Sequence, residues 1–287
     1  MRLRSKLFVP GNRPDLMTKA AAGPADALSL DLEDAVPDAE KVAARSTVAQ
    51  FLASRGAARG QGARTAIVRV NGRASGLMVA DILAVAGAGL DIVNVPKCED
   101  PRDLHVADAL LDHVERERGL ASGAIRLMPT IETPAGLRRA HEIATASPRN
   151  VALQLGLGDL KAATGLRPQT ARLGPVRTML VLAAAEAGLL AFDSAYVDIA
   201  DSAGFEADAR EARALGFAGK SCIHPRQVAP CNAAFGPDAE EIDEARALIA
   251  ASRAAAADGR GAITFRGRLV DAVHAQEAAA LLELAGA

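Results

Sequence analysis

Aromatic side chains are scarce in this chain: they make up 3% of it, with no Trp and a single Tyr, Tyr196. So few rings exclude the stacking platforms on which single-stranded nucleic acid is bound. An excess of one charge is also lacking, because 33 basic residues face 35 acidic ones for a net charge of −2. That balance leaves no footprint for a polyanion. Cysteine is confined to Cys98, Cys222 and Cys231, an odd number without a CxxC pair, which argues against a disulfide framework and a zinc site alike. No apolar run approaches the ~18 residues of a membrane span. The basic start Met1–Gly11 holds only the short apolar stretch Leu7–Pro10, too little for a secretory signal. The expectation is a cytoplasmic protein that uses neither nucleic acid nor membrane as a partner.

What is present is aliphatic. Half of the 287 residues are hydrophobic, and Ala, Leu and Val must fill the core, which favours helices packed closely on a sheet. Short strand-like runs alternate with helix-like segments: Leu7–Val9, Ala27–Leu30, Ala66–Val70, Asp91–Val95, Ile125–Ile131, Val151–Leu155, Ala195–Ile199 and Gly219–Ile223. Asn12 reads as the cap of the first helix, with Pro14 in its first turn. Arg55–Arg64 reads as an exposed loop, and the run Val151–Leu155 leads to a helix from about Gln169 to Gly188. Eight β-then-α units in order predict an α/β fold, a TIM-type (β/α)8 barrel over residues 1–235. Periodicity alone leaves a doubly wound sheet open. Residues 236–287 form a C-terminal helical extension: a helix over Glu240–Ala257, a break at Gly259–Gly261, an extended stretch and a last helix over Ala272–Leu284. Such an addition suits packing on a neighbouring subunit.

Five of the runs end in charge. Glu132 closes one, and Asp159 follows another after the turn Gly156-Leu157-Gly158. Asp31, Glu33 and Asp34 follow a third; Arg69 ends a fourth and Lys97 follows a fifth. Barrel enzymes build their sites at the carboxyl ends of the strands. Two carboxylates there can share one hard cation such as Mg²⁺, which keeps water and substrate oxygens in its other positions. Capping of the helix at Pro134 and of a turn explains Glu132 and Asp159 equally well. Arg69, a lone charge in a β-branched run, points to a carboxylate clamp or an oxyanion partner; the alternative is a structural ion pair with Asp31 or Glu33. Those two acids can hold Arg69 or orient water on a metal, and Asp34 can equally be solvated. Lys97 can attract an anion. His224 reads as structural or catalytic with no preference. Gly156-Leu157-Gly158 lacks the third glycine of a dinucleotide fingerprint. Arg13 and Lys19, beside the first strand, are candidates for contact with a phosphorylated cofactor.

In order, RSKLFVPGNRPDLMTKA, ADALSLDLEDAVPDAEKVAAR, VRVN, VPKCED, PTIETPAG, LGLGDL and GFAGKSCIHPRQV resemble the citrate lyase β-subunit-like family, acyl-CoA lyases related to malyl-CoA and citramalyl-CoA lyases. The likeness spans nearly the whole chain. It implies a TIM-type barrel, Mg²⁺ as cofactor, a CoA-thioester substrate and a homotrimer. It makes Glu132 and Asp159 the metal ligands, Glu132 a substrate contact as well, and the catalytic residues Arg69, on the substrate's oxygens, and Asp271, in an acid/base role. Glu33 and Asp34 match the acids that support them, and Arg13 and Lys19 stand where CoA would be met. Asp271, in Arg268–Val273, matches an Asp lent to a neighbouring site, although Val273 stands where relatives carry Pro; capping of the last helix is the other explanation. The implied reaction cleaves a citryl-, citramalyl- or malyl-CoA type thioester to acetyl-CoA and a 2-oxo acid. A malyl-CoA-type thioesterase, or the β subunit of a citrate lyase complex working on a citryl carrier protein with other subunits, are the alternatives. Aldolases of free pyruvate share the metal-and-Arg logic but lack the tail, and a binding protein that only senses CoA esters would not need the intact Arg69, Glu132 and Asp159 set.

Overall fold

The computed structural model describes residues 3–57, 64–167, 173–257 and 259–286. Eight parallel strands close into a barrel in sequence order: β1 (Ser5–Pro10), β2 (Ala27–Asp31), β3 (Thr65–Arg69), β4 (Ile92–Val95), β5 (Arg126–Ile131), β6 (Ala152–Leu155), β7 (Leu190–Asp193) and β8 (Gly219–Cys222), with β8 returning to β1. The doubly wound alternative is thereby removed. The strands are short and buried on both faces, as continuous aliphatic runs require in a parallel sheet covered by helices. Register places Pro10, Asp31 and Arg69 side by side, so the charged strand ends meet at one rim.

The opposite end is sealed. Leu3, Ala27, Ile67, Ile92, Met128, Ala152 and Phe192 form an apolar plug, each large member contributing roughly 1.5–3 kcal/mol by leaving water. Several connecting helices start on local signals. Asp100 and Asp103 form a capping box before the helix Pro101–Glu117, and Thr133 accepts from Gly136 N at 3.1 Å before Pro134–Arg138. In both cases Pro sits at the first helical position, where no N–H is missed.

Four local expectations are corrected. Asn12 does not cap the first helix, Pro14–Ala22: Arg13 holds the cap position without a side-chain bond, and Asn12 Nδ2 instead reaches Glu40 at 2.6 Å. Arg55 belongs to the helix Lys41–Ala57, which runs past the expected loop start, while 58–63 lie outside the described residues. A helix missed in sequence, Leu157–Thr164, begins at the Gly-x-Gly turn; the expected helix starts at Gly174, and Gln169 lies outside the described residues. Strand seven is Leu190–Asp193, not Ala195–Ile199. The alternating Tyr-Val-Asp-Ile pattern mimics a strand, but pairing uses Leu190, Ala191 and Phe192 against β6. Phe192 is needed in the plug, and Val197 is left 74% exposed in a loop.

Residues 233–287 form a second compact unit. An antiparallel hairpin, β9 (Ile263–Phe265) and β10 (Arg268–Val270), lies in sequence between the helices Ala239–Ala257 and Ala272–Ala285. Ala245, Leu248, Val270 and Ala278 make its small core, with Ile249, Ile263, Phe265 and Leu281 packed around them. Among the described residues no helix is long and apolar enough to cross a membrane.

Candidate active site

The rim of the barrel gathers most of the charged residues at the strand ends. Asp31, at the end of β2, is 1% exposed and grips Arg69 bidentately, with Nε and Nη2 each 2.7 Å from a carboxylate oxygen. The same carboxylate accepts from the backbone N–H of Glu33 and Ala35 at 3.0 Å, folding residues 31–35 into a turn over the pocket. Lys41 pins that turn from beneath, its buried ammonium donating to the carbonyls of Leu32 and Glu33 at 3.0 and 2.8 Å.

Arg69 Nη1 turns to Glu33 at 2.9 Å and Asp34 at 3.0 Å. Burial works against the guanidinium, but Asp31, Glu33 and Asp34 outweigh it and raise its pKa above the ordinary arginine value. The ion pair expected as an alternative for Arg69 is therefore present, and it is divided. The bonds to Asp31 are buried, whereas Asp34 is 52% exposed. Phe8 lies below, its ring centroid 5.0 Å from the guanidinium, within cation–π reach.

Glu132 stands one residue past β5 and is buried. Its Oε1 accepts from the backbone N–H of Lys97 at 2.7 Å. Lys97 has φ of +51°, a left-handed conformation that non-glycine residues hold only where the surroundings impose it. That strained turn aims the N–H at Glu132, while the ammonium reaches Glu33 at 2.6 Å. Gly156 completes the cradle: a Cβ there would stand 2.3 Å from Glu132 Oε2 and 2.5 Å from its Cβ. Only glycine fits beside this carboxylate.

Asp159 lies in the first turn of Leu157–Thr164, and its carboxylate comes close to that of Glu132 where both line a pocket of about 390 Å³. Ser194 Oγ accepts from Leu157 N at 3.0 Å and fixes where that helix begins. Burial, then the negative charge of Glu33, then Asp159 push the Glu132 carboxyl up to about 8, against the relief of the Lys97 N–H. Five carboxylates thus meet two cations, Arg69 and Lys97. A hard divalent ion fits this surplus, because it would replace the proton that Glu132 otherwise retains. Among the described residues no three His, Cys, Asp or Glu side chains converge as a closed cage. Two carboxylates with room beside them suit Mg²⁺, which keeps further positions for water and substrate oxygens.

Arg13 and Lys19 lie apart from the carboxylates. Arg13 forms an exposed pair with Asp15 at 3.1 Å. Lys19 lines a second cavity of about 600 Å³ between β1, the helix Pro14–Ala22 and the turn at His224; Phe8 and Ile223 are shared by both cavities. His224 caps that turn, its Nδ1 accepting from Arg226 N at 3.2 Å. Asp271 belongs to the second unit, where it caps Ala272–Ala285 and bonds His274 at 2.8 Å; that His and the Val273 N–H hold its carboxyl below the usual range. Sequence reading missed the roles of Lys41, Ser194 and the Lys97 backbone. Only the proximity of Lys97 to a strand end hinted at any of them.

Comparison with known proteins agrees with this geometry. The family model for HpcH/HpaI aldolase/citrate lyase matches residues 4–225. This chain belongs to that family. It is 35% identical to L-malyl-CoA/beta-methylmalyl-CoA lyase of Cereibacter sphaeroides over 98% of this chain and 94% of the relative. It is also 35% identical to citrate lyase subunit beta of Leuconostoc mesenteroides subsp. cremoris over 99% and 93%. Among solved structures, protein CitE of Mycobacterium tuberculosis in complex with magnesium, acetoacetate and coenzyme A superposes with a TM-score of 0.79 at 32% identity, covering 100% of this chain and 99% of that one. The family resemblance read from the motifs holds, and so does the TIM-type barrel with its helical extension.

Proposed function

We propose that this protein is a Mg²⁺-dependent carbon–carbon lyase that cleaves a short 3-hydroxyacyl-CoA to acetyl-CoA and a 2-oxo acid. The observation that carries the reading is the Glu132–Asp159 pair, one carboxylate buried and the other half-buried, set beside a pinned arginine. It is supported by relatives named as lyases of malyl-CoA and citrate and by a solved relative holding magnesium and coenzyme A.

Glu132 and Asp159 would hold the metal, which when bound supplies a Lewis acid for the oxygens of the hydroxy-acid end. Arg69 offers Nη1: its exposed partner Asp34 is the replaceable one, since half-exposed ion pairs contribute little, and a substrate carboxylate can take that place. Asp31 keeps the guanidinium oriented throughout. A base takes the 3-hydroxyl proton, the C2–C3 bond breaks, its electron pair passes to the thioester as an enolate, and C3 becomes the carbonyl of the oxo acid. Protonation of the enolate carbon completes acetyl-CoA. Arg69 stabilises charge as it moves. The arm of CoA runs past Phe8 and Ile223 into the cavity lined by Lys19, with Arg13 nearby for a phosphate.

The reading extends to a cytoplasmic homotrimer in which residues 236–287 dock on a neighbour and Asp271 serves as the base of that neighbour's site. Exposed Leu269 and Val273 on either side of Asp271 offer apolar surface for such a contact. Equal identity to a citrate lyase β subunit keeps a second reading, a citryl carrier-protein thioester handled with other subunits. Purified protein with Mg²⁺ is to be tested on malyl-, citramalyl- and citryl-CoA, following oxo acid and free thiol separately. Oxo acid with acetyl-CoA, lost in Glu132→Ala, is the expected result. Free CoA with the hydroxy acid intact would make it a thioesterase, and no turnover of any of the three would favour the carrier-protein substrate.

A further inference from the structure

Beneath the pocket the barrel interior is polar, where such barrels are commonly filled by branched aliphatics. Lys6 is the most costly group there. It is fully buried and, among the described residues, forms no ion pair: its Nζ bonds Gln154 Oε1 and lies 4.5 Å from the Phe8 ring centroid, while Asp31 and Glu132 act on it only from beyond contact. Lys220, equally buried, has Asp193 and Asp208 within 2.6 Å. A buried amine without a carboxylate in contact destabilises the fold, and burial followed by the charge of Arg69 lowers the Lys6 pKa well below the ordinary lysine value, against the weaker pull of Asp31 and Glu132. The fold tolerates this group directly under its site.

Gln154 links it to the chemistry. It lines the same pocket as Glu132, Asp159 and Arg69. With Oε1 committed to Lys6, the amide can offer only its other end, and its Nε2 makes no hydrogen bond among the described residues. We propose that Lys6 is a positioning residue: by holding Gln154 Oε1 it presents the Gln154 Nε2–H₂ group to the pocket as a donor for an oxygen of the oxo acid. This rests on the lyase reading above. A primary amine carries N–H donors whether protonated or neutral, so the orientation does not depend on its charge. Without Lys6 the amide is free to turn its oxygen toward the oxygens of the ligand, which repels them.

The test is a double-mutant cycle read by calorimetric titration of oxaloacetate into Mg²⁺-saturated protein, with thermal melts in parallel. Lys6→Met is expected to melt higher than wild type and yet bind oxaloacetate about tenfold more weakly. Gln154→Leu is expected to lose a similar factor, and the double variant to bind no more weakly than Gln154→Leu alone. Gln154→Glu, which keeps an acceptor for Lys6 but removes the NH₂ group, carries the test should Lys6→Met fail to fold; it too is expected to bind weakly. Wild-type affinity in Lys6→Met or in Gln154→Glu, or losses that add in the double variant, would overturn the proposal alone. Where the wild-type protein binds pyruvate or glyoxylate instead of oxaloacetate, the cycle is read with that oxo acid; binding of none of the three would overturn the lyase reading together with the proposal.

Discussion

Two charge clusters in the barrel use the same residue types to opposite ends. On the outer face of β7 and β8, Asp193, Lys220, Arg177 and Asp208 interlock, with Arg177 2.9 Å from Asp193 and 2.7 Å from Asp208. Two cations there meet two buried carboxylates. Burial pushes Asp208 up, but Lys220 and Arg177 outweigh it and bring its carboxyl below the usual range; Lys220 is likewise raised despite its burial. This cluster is balanced in charge and fastens the helices Gly174–Glu186 and Ser202–Ala214 to the barrel wall. At the rim the balance fails. Burial raises Glu33 even beside Arg69 and Lys97, and Glu132 reaches about 8. A balanced buried cluster holds a fold together, whereas an unbalanced one open to a pocket is prepared for a charge that arrives from outside.

The comparison breaks most visibly at Lys220. Lys220→Met leaves Asp193 and Asp208 with Arg177 alone, and about 3–5 kcal/mol of stability is expected to be lost in urea denaturation. A rim-like tolerance, under 1 kcal/mol, would show that the outer cluster is not structural.

Glu132→Gln tests the other side. The Glu132 carboxyl has a folded-state pKa of about 8 against an ordinary 4.5. A carboxyl raised in this way contributes stability that is fully present below the unfolded value and is lost as pH rises through the folded one. Metal-free wild-type protein is therefore expected to fall behind Glu132→Gln between about pH 5 and pH 9, by up to about 5 kcal/mol at the upper end. Added Mg²⁺ is expected to close that gap. Parallel melting curves of the two proteins across this range would contradict the surplus-charge account.

Gly156→Ala places a methyl against Glu132. Stability is expected to fall by about 1–3 kcal/mol from the overpacking, and Mg²⁺ affinity, measured by calorimetry, about 10–100-fold, the usual consequence of disturbing what orients a metal ligand. Undiminished affinity would show that Glu132 has room to move. Asp34→Asn is the mildest change: its exposed pairs to Arg69 and Lys97 predict a stability change within about 1 kcal/mol. A larger loss would mean that Asp34 holds Arg69 as firmly as Asp31 does.

Much of this was legible in the primary structure. Apolar runs ending in charge mark strands and rim, because a barrel strand has one end in the plug and the other in solvent. Glu132, Asp159, Arg69 and the Asp31–Asp34 turn could be singled out on that ground. β7 was misread because four residues suffice for a strand whose partners supply the pairing, while a more regular alternation stood in the loop beside it. Lys97 was read for its ammonium, although its backbone N–H holds the proposed metal ligand; no side-chain pattern encodes a left-handed φ at a lysine.

By itself the sequence determined the repeated βα order, the aliphatic filling and the carboxylates and arginine placed at strand ends, since these follow from local periodicity and residue type. Tertiary structure alone decided what those charges meet. Closure of the barrel brings Lys6 to Gln154, Lys97 to Glu132 and Gly156 against the same carboxylate. Partners so far apart along the chain are chosen by strand register and packing, and neither is written in any single segment.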